Sequence, residues 1–143
     1  MGIRKAKVSD ISFLEKIGKE VREFKVSKES KGFWNKEQLK NWILSKNDII
    51  LIAEDKEEII GFVMFAHHVP TGKVTFENGW VRSDYRGKDI ISKLTKEGLK
   101  QLKLKGARYV CGLVKKDNSS SIKFLRKNQF RKGSDFSWLH RKL

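Results

Sequence analysis

The sequence predicts an α/β fold of the α+β type, a mixed and mostly antiparallel sheet with helices packed on its faces. Short β-rich apolar runs at residues 49–54, 59–66, 74–81 and 108–114 are interleaved with segments whose apolar residues recur at helical spacing. The first two runs are separated only by Asp55-Lys56-Glu57-Glu58, a hairpin signal that makes their pairing antiparallel. Residues 81–94 lead a strand through a basic, glycine-containing loop straight into an amphipathic helix, a unit that calls for a parallel crossover. At 143 residues the chain fits a single domain, residues 1–143, able to bury about 70% of its unfolded surface.

Residues 3–8 read as the first strand. Ser9 or Asp10 then caps a helix on which Phe13, Leu14, Ile17, Val21 and Phe24 share one face. A polar segment at residues 27–32 interrupts before Asn35 caps a second helix carrying Leu39, Trp42 and Ile43 and ending near Lys46 and Asn47. These helices form a flap between strands. After the hairpin, Pro70 and Gly72 mark a turn into the strand at 74–81. The helix beyond the basic loop buries Ile91, Leu94, Gly98 and Leu102 on one face, with Gly106 as its C-terminal cap. Residues 108–114 resume strand, residues 117–120 turn into a helix with Ile122, Phe124 and Leu125 on its apolar face, and Phe130 opens a closing strand pair including Phe136, Trp138 and Leu143.

The net charge of +15, from 32 Lys and Arg against 17 Asp and Glu, predicts attraction to polyanions without naming one, and a solvated lysine-rich surface explains it equally. Lys93, Lys96, Lys100, Lys103 and Lys105 crowd one segment. No apolar run approaches the ~20 residues of a membrane span, and Met1 to Lys5 turns into a strand pattern rather than a signal peptide, so a soluble cytoplasmic protein without membrane contact is expected. A single cysteine, Cys111, forms no internal disulfide and no metal cluster, and its place in a strand makes it a small buried hydrophobe. No metal is expected. Trp42, Trp80 and Trp138 lie on apolar faces and read as core, whereas Trp34, beside Phe33 in the polar insertion, does not.

The chemistry-bearing residues gather around the strand at 74–81 and the loop after it. A helix N-terminus presents unpaired N–H groups and a partial positive charge, and Arg86 and Lys88 place full charges beside them, which is how a phosphate cradle is built. Asp89 stands in that cradle, and as a good N-cap its carboxylate is expected to occupy the N–H groups a phosphate would need. Glu77, in the strand, and His67 and His68, at the end of the preceding strand, are candidate bases, with an exposed side chain as the plainer reading of each. His140 reads as a surface residue.

The element order and several local sequences resemble the GNAT superfamily of acyl-CoA-dependent N-acyltransferases over essentially the whole chain. Residues 3–6 with Asp10 look like the family's opening strand and helix, and residues 49–54 and 59–63 like its central hairpin. Val81, then Tyr85-Arg86-Gly87-Lys88, then a helix is similar to its cofactor segment, and Asn118, Ser121, Phe124 and Phe130 resemble its late pattern. The resemblance implies a sheet of about six to seven strands flanked by about four helices. It also implies acetyl-CoA as acyl donor and direct attack of a primary amine on the thioester, with a small-molecule or peptide amine as acceptor in a monomer or homodimer.

By the same resemblance, Trp80, Val81, Arg86, Gly87, Lys88, Asp89, Ile90, Ile91, Ser92, Asn118, Ser121 and Phe124 bind the cofactor, and Glu77, His67 and Tyr85 are the catalytic candidates. Phe33, Trp34 and His68 face the acceptor, and the strand at 74–81 splays from its neighbour, with a bulge at Asn78-Gly79. The family pattern Q/R-x-x-G-x-G/A is met by Arg86 but departs at Asp89 and Ile91, Leu125 stands where tyrosine often serves as acid, and Gln129 replaces a glycine. Those departures leave an alternative open, a catalytically impaired module that uses the same fold and its basic surface to engage an acidic protein or, less favoured, nucleic acid.

Overall fold

The structure, a computed structural model, describes residues 1–25, 28 and 32–143. One sheet runs in the order β1 (Gly2–Lys5), β2 (Ile49–Asp55), β3 (Glu58–His68), β4 (Lys73–Val81) and β5 (Tyr109–Cys111). Four strands are antiparallel neighbours, while β5 lies parallel to β4 because α3 (Ile90–Leu104) crosses over between them. The β2–β3 hairpin turns at Lys56 and Glu57, whose φ angles of 49° and 65° give the left-handed pair that suits strand twist.

The first strand stops at Lys5, short of the expected Val8, because a polar cluster bends the chain. The Asp10 carboxylate accepts the Lys7 N–H at 2.7 Å and the Arg4 guanidinium at 2.8 and 3.0 Å, while Arg4 also reaches Glu54. Val8–Asp10 is therefore a 3-10 turn, and Asp10 closes that turn rather than capping α1 (Ile11–Glu20) with its side chain. Val21 and Phe24 fall beyond the end of α1 yet still pack against it. The polar segment at 27–32 lies outside the described residues except for Lys28 and Gly32. Asn35 caps α2 (Lys36–Leu44) as expected: its Oδ1 accepts the Gln38 N–H at 2.9 Å and the Gln38 side chain accepts the Asn35 N–H at 3.2 Å.

Alternation along β2 and β3 sends side chains into two cores. Ile50, Ile52, Phe62 and Met64 meet Leu14, Ile17 and Leu39 of α1 and α2 on one face. On the other, Leu51, Val63, Phe65 and Val74 meet Ile90, Leu94 and Leu102 of α3. A sheet covered on both faces explains why these strands read as continuous apolar runs.

The closing strand pair does not form. The sheet has five strands among the described residues, and after α4 (Ser119–Lys127) the chain runs through residues 130–143 without a ladder. Phe136 and Trp138 stand exposed, contrary to the core place expected of Trp138. Apolar alternation makes a segment able to pair, but a strand exists only where a neighbour offers its backbone. β5 is likewise shorter than residues 108–114, because only Tyr109–Cys111 lies alongside β4.

Candidate active site

β4 touches β5 only through the pairs Lys73–Tyr109, Val74–Val110 and Thr75–Cys111. Beyond Thr75 the two strands diverge, so the backbone of residues 77–80 has no partner on that side among the described residues, as the splay expected from the sequence requires. On the other side the register slips: Met64 faces Asn78 and Phe65 faces Phe76, leaving Glu77 as the extra residue of a bulge. The bulge thus sits before the expected Asn78-Gly79. Gly79 is small for a different reason, since a Cβ there would lie 2.9 Å from Cδ1 of Ile91 and 3.1 Å from the Phe76 ring. A glycine on β4 makes the room that Ile91 takes up on α3.

The flap closes over this bulge. Trp34 Nε1 donates to Asn78 Oδ1 at 3.3 Å, Trp42 Nε1 donates to the Phe65 carbonyl at 3.1 Å, and the two indoles meet edge to face at 5.0 Å. Trp42, read from sequence as core alone, therefore also ties α2 to the strand opposite the bulge. Phe33 stacks on Phe24 at 5.3 Å over Gly18 and belongs to the core. The Trp80 ring likewise packs on Phe62 and Phe13, so β4 offers its backbone there rather than the indole.

Among the sequence candidates for proton transfer, only Glu77 lies at the point where the sheet opens. Burial, and then the nearby charge of Asp48, push its carboxyl above the ordinary glutamate value. His67 pairs with Val74 nearer the start of β4; it is 7% exposed, and neither ring nitrogen has a partner among the described residues. Its backbone N–H donates to Asp48 at 2.9 Å. His68 is exposed in the β3–β4 turn, where its ring nitrogen meets Thr71 Oγ1 at 2.8 Å. Tyr85 lies beyond the other end of β4, its hydroxyl donating to Asp55 at 2.8 Å in the hairpin turn. That hydrogen bond raises the phenol pKa, and Lys88 and Arg82 cover the ring at 4.5 and 4.6 Å.

The basic loop departs most from expectation at Asp89. It occupies the N-cap position of α3 with φ 62°, a left-handed conformation, and its side chain makes no capping hydrogen bond. Instead Lys127 of α4 donates to its carboxylate at 2.8 Å; Lys127, with Ser92 beside it, holds that carboxyl below the usual aspartate range. The N–H groups of residues 89–92 consequently meet no acceptor among the described residues. Glycine is favoured at such a position for its backbone freedom, and aspartate is among the few residues that tolerate it. Gln129, also at a family glycine position, keeps φ 68°. Gly87 adopts φ 77°, while Arg86 and Lys88 are exposed and Arg86 Nε donates to the Val81 carbonyl at 3.4 Å.

Around the loop, Ile90 is buried in the α3 core, and the buried Ser92 accepts from Asn128 Nδ2 at 2.8 Å. Asn118 caps α4 by accepting the Ser121 N–H at 3.2 Å, and the Phe124 ring lies 6.2 Å from Phe76. A cleft of about 360 Å³ lies between Arg22 and Glu23 of the flap and residues 115–120 at the start of α4. Sequence reasoning missed Lys127 and Asn128, since no local signal couples residues 38 and 36 positions apart. Among the described residues no group of three or more His, Cys, Asp or Glu could hold a metal ion, and no helix is long and apolar enough to cross a membrane.

A strand that bulges and splays beside a helix with free N–H groups is the arrangement expected from the sequence resemblance. The family model for GNAT acetyltransferases matches residues 15–130. This chain belongs to the GNAT family. Among solved structures, the aminoglycoside N-acetyltransferase AAC(6')-Iy in complex with CoA superposes with a TM-score of 0.74 at 16% identity, over 99% of this chain and 100% of that one. A transcriptional regulator from Bacillus halodurans C-125 gives 0.76 at 20% identity over 98% and 99%. A ribosomal-protein-alanine N-acetyltransferase from Brucella melitensis gives 0.72 at 18% over 94% and 86%. At these identities the likeness is one of fold. No curated protein sequence matches closely enough to show a relationship.

Proposed function

We propose that this GNAT chain is an N-acetyltransferase that moves an acetyl group from acetyl-CoA to a primary amine. The observation that carries the reading is the N-terminus of α3, with its N–H groups at residues 89–92 unengaged and the Asp89 carboxylate drawn aside by Lys127. Those N–H groups, with Arg86 and Lys88, fit a pyrophosphate. The unpaired backbone of residues 77–80 fits the amide-bearing pantetheine arm. When bound, acetyl-CoA supplies a thioester already activated toward amines.

The protein's own residues do the rest. Glu77, half-buried at the bulge, accepts the proton of the amine, directly or through water, as the nitrogen–carbon bond forms and the carbon–sulfur bond breaks. Its raised pKa makes it a better base than an exposed glutamate. Leu125 donates no proton and Tyr85 is engaged with Asp55, so the thiolate leaves without either of them. The closed flap, with Trp34 and Trp42 over the bulge, excludes water from the amine's approach. The AAC(6')-Iy relative is also known in complex with a bisubstrate analogue of CoA and an acetylated neamine. A net charge of +15 repels such polycations, and we assign this chain a neutral or acidic amine, on a small molecule or a peptide.

Thermal unfolding with and without acetyl-CoA tests the reading. Ligand at 100 times its Kd should stabilise the fold by about 2.7 kcal/mol, and an unchanged Tm at millimolar acetyl-CoA defeats it. Lys127→Met should weaken CoA binding in the natural sequence yet have no effect once Asp89→Gly has removed the carboxylate. Equal weakening in both backgrounds would mean that Lys127 contacts the phosphate itself.

A further inference from the structure

The outward face of α3 carries a row of charge that acyl transfer leaves unused. Lys93, Lys96, Lys100 and Lys103 are all exposed, and at about 100° per residue they fall within an arc of about 80°. They form a row about 15 Å long on the helix surface. Ile90, Leu94 and Leu102, on the other side of the helix, are fixed in the core, so packing of the whole helix turns the row toward solvent. Lys96 and Lys100 stand one helical turn apart, where like charges repel.

No acid balances the row. Among the described residues, lysine side chains form ion pairs at Lys19 with Glu15, Lys127 with Asp89 and Lys132 with Asp135, and none of these involves the row. Glu97, the one acid of α3, lies beside the arc, and its carboxylate accepts Gln101 Nε2 at 2.8 Å. Further basic groups stand at both ends. Lys127 lines, together with Lys96, a cleft of about 280 Å³. At the far end Lys105 donates to the Lys46 carbonyl, and burial and then the charge of Lys5 lower its pKa. With Lys127 and Lys105 engaged inside the fold, the four lysines of the row are the charges left for an anion from outside.

We propose that this face of α3 binds the sugar-phosphate backbone of nucleic acid without reading its sequence. Phosphates follow one another along a strand at intervals of about 3.4 Å, so about 15 Å of α3 runs beside roughly four of them, one for each lysine. The row holds no aromatic ring to stack on a base and no arginine or amide to read one. A bilayer surface calls for an exposed apolar face as well as charge, and the apolar face of α3 is buried, with Leu104 alone exposed beside the row. A protein partner calls for an aromatic or apolar anchor at the centre of the contact, which the row lacks. The proposal stands independently of acyl transfer, because the row runs along α3 away from the N–H groups of residues 89–92.

The test is the fluorescence anisotropy of a labelled short DNA duplex, titrated with the full chain between about 50 and 200 mM salt. Four phosphate contacts give a slope of log K against log salt of about −3.6, a loss of about 100-fold in affinity across that range. Lys100→Gln with Lys103→Gln, at the end of the row far from the basic loop, should reduce the slope to about −1.8 while leaving Tm unchanged. Lys36→Gln with Lys40→Gln removes the same charge from the exposed side of α2 and should leave the slope as it is, which separates a defined face from the general pull of a +15 chain. An RNA duplex of equal length distinguishes the two sources of that backbone, and binding of either with this lysine dependence supports the proposal. Absence of binding to both at about 50 mM salt overturns it. So does an equal loss in the α2 variant, or tighter binding to phosphatidylserine vesicles that depends on the same lysines.

Discussion

The two halves of this molecule are built to different standards. Every buried core side chain lies between Ile11 and Leu102, in two cores that sandwich β2 and β3. From Ala107 onward no described residue is buried: β5 has three residues, α4 has no buried face, and residues 131–143 are exposed. The front half is held by burial, at about 25 cal/mol for each Å² of apolar surface removed from water. The back half borders the open side of β4, where among the described residues backbone is left without a partner strand. A cleft that admits a ligand has to be made from loosely packed elements, and stability concentrated in the front allows the back to be open.

The largest test of that contrast is Phe65→Ala, which removes a fully buried ring at the centre of the front core and should lower stability by about 3–5 kcal/mol. Phe124→Ala, in the half-buried back helix, should lower it by under half as much in the same denaturant titration. Parity between the two would erase the distinction.

Glu77→Gln comes next, acting on chemistry rather than packing. It should reduce kcat/KM about 100-fold and remove the acid limb of the pH profile, a limb that in the natural chain lies above the ordinary glutamate value of 4.5. The same substitution should raise stability at neutral pH. A carboxyl whose pKa is higher folded than unfolded binds more protons in the folded state, so stability falls as pH rises from 4.5 through the raised value.

Asp10→Ala should destabilise the front half by about 2 kcal/mol, because it leaves Arg4 and the Lys7 N–H without their buried acceptor. Burial pushes the Asp10 carboxyl up, but the Arg4 and Lys7 bonds outweigh it and hold its pKa below 3.8. The contribution is therefore present above pH 3.8 and fades as pH falls through the lowered value, where variant and natural chain should converge. A gap that persists in acid would assign the effect to packing.

The smallest expected effect is Gln129→Gly, which relieves a left-handed backbone at φ 68° and should stabilise by about 0.5 kcal/mol. A loss of stability would show that the Gln129 side chain holds the back half together.

Legibility in the sequence follows the range of the forces involved. The β2–β3 hairpin, the Asn35 cap and the α3 stripe of Leu94 and Leu102 were all readable, because turn chemistry, capping and periodicity act over a few residues. The basic loop was readable for the same reason. Asp89 was misread: a capping residue type was visible, but the left-handed backbone and the pull of Lys127 were not. Nor could alternation reveal that residues 136–143 find no partner strand among the described residues.

By itself the sequence determined the element order, the antiparallel front, the crossover helix and the place of the basic loop before it, since these follow from local propensity and the burial of apolar stripes. Tertiary structure alone decided that the bulge falls on Glu77, that Asp89 turns toward α4 and that Tyr85 turns toward Asp55. Register, ion pairing and access to a site depend on which distant segments arrive beside one another, and packing of the whole chain sets those positions.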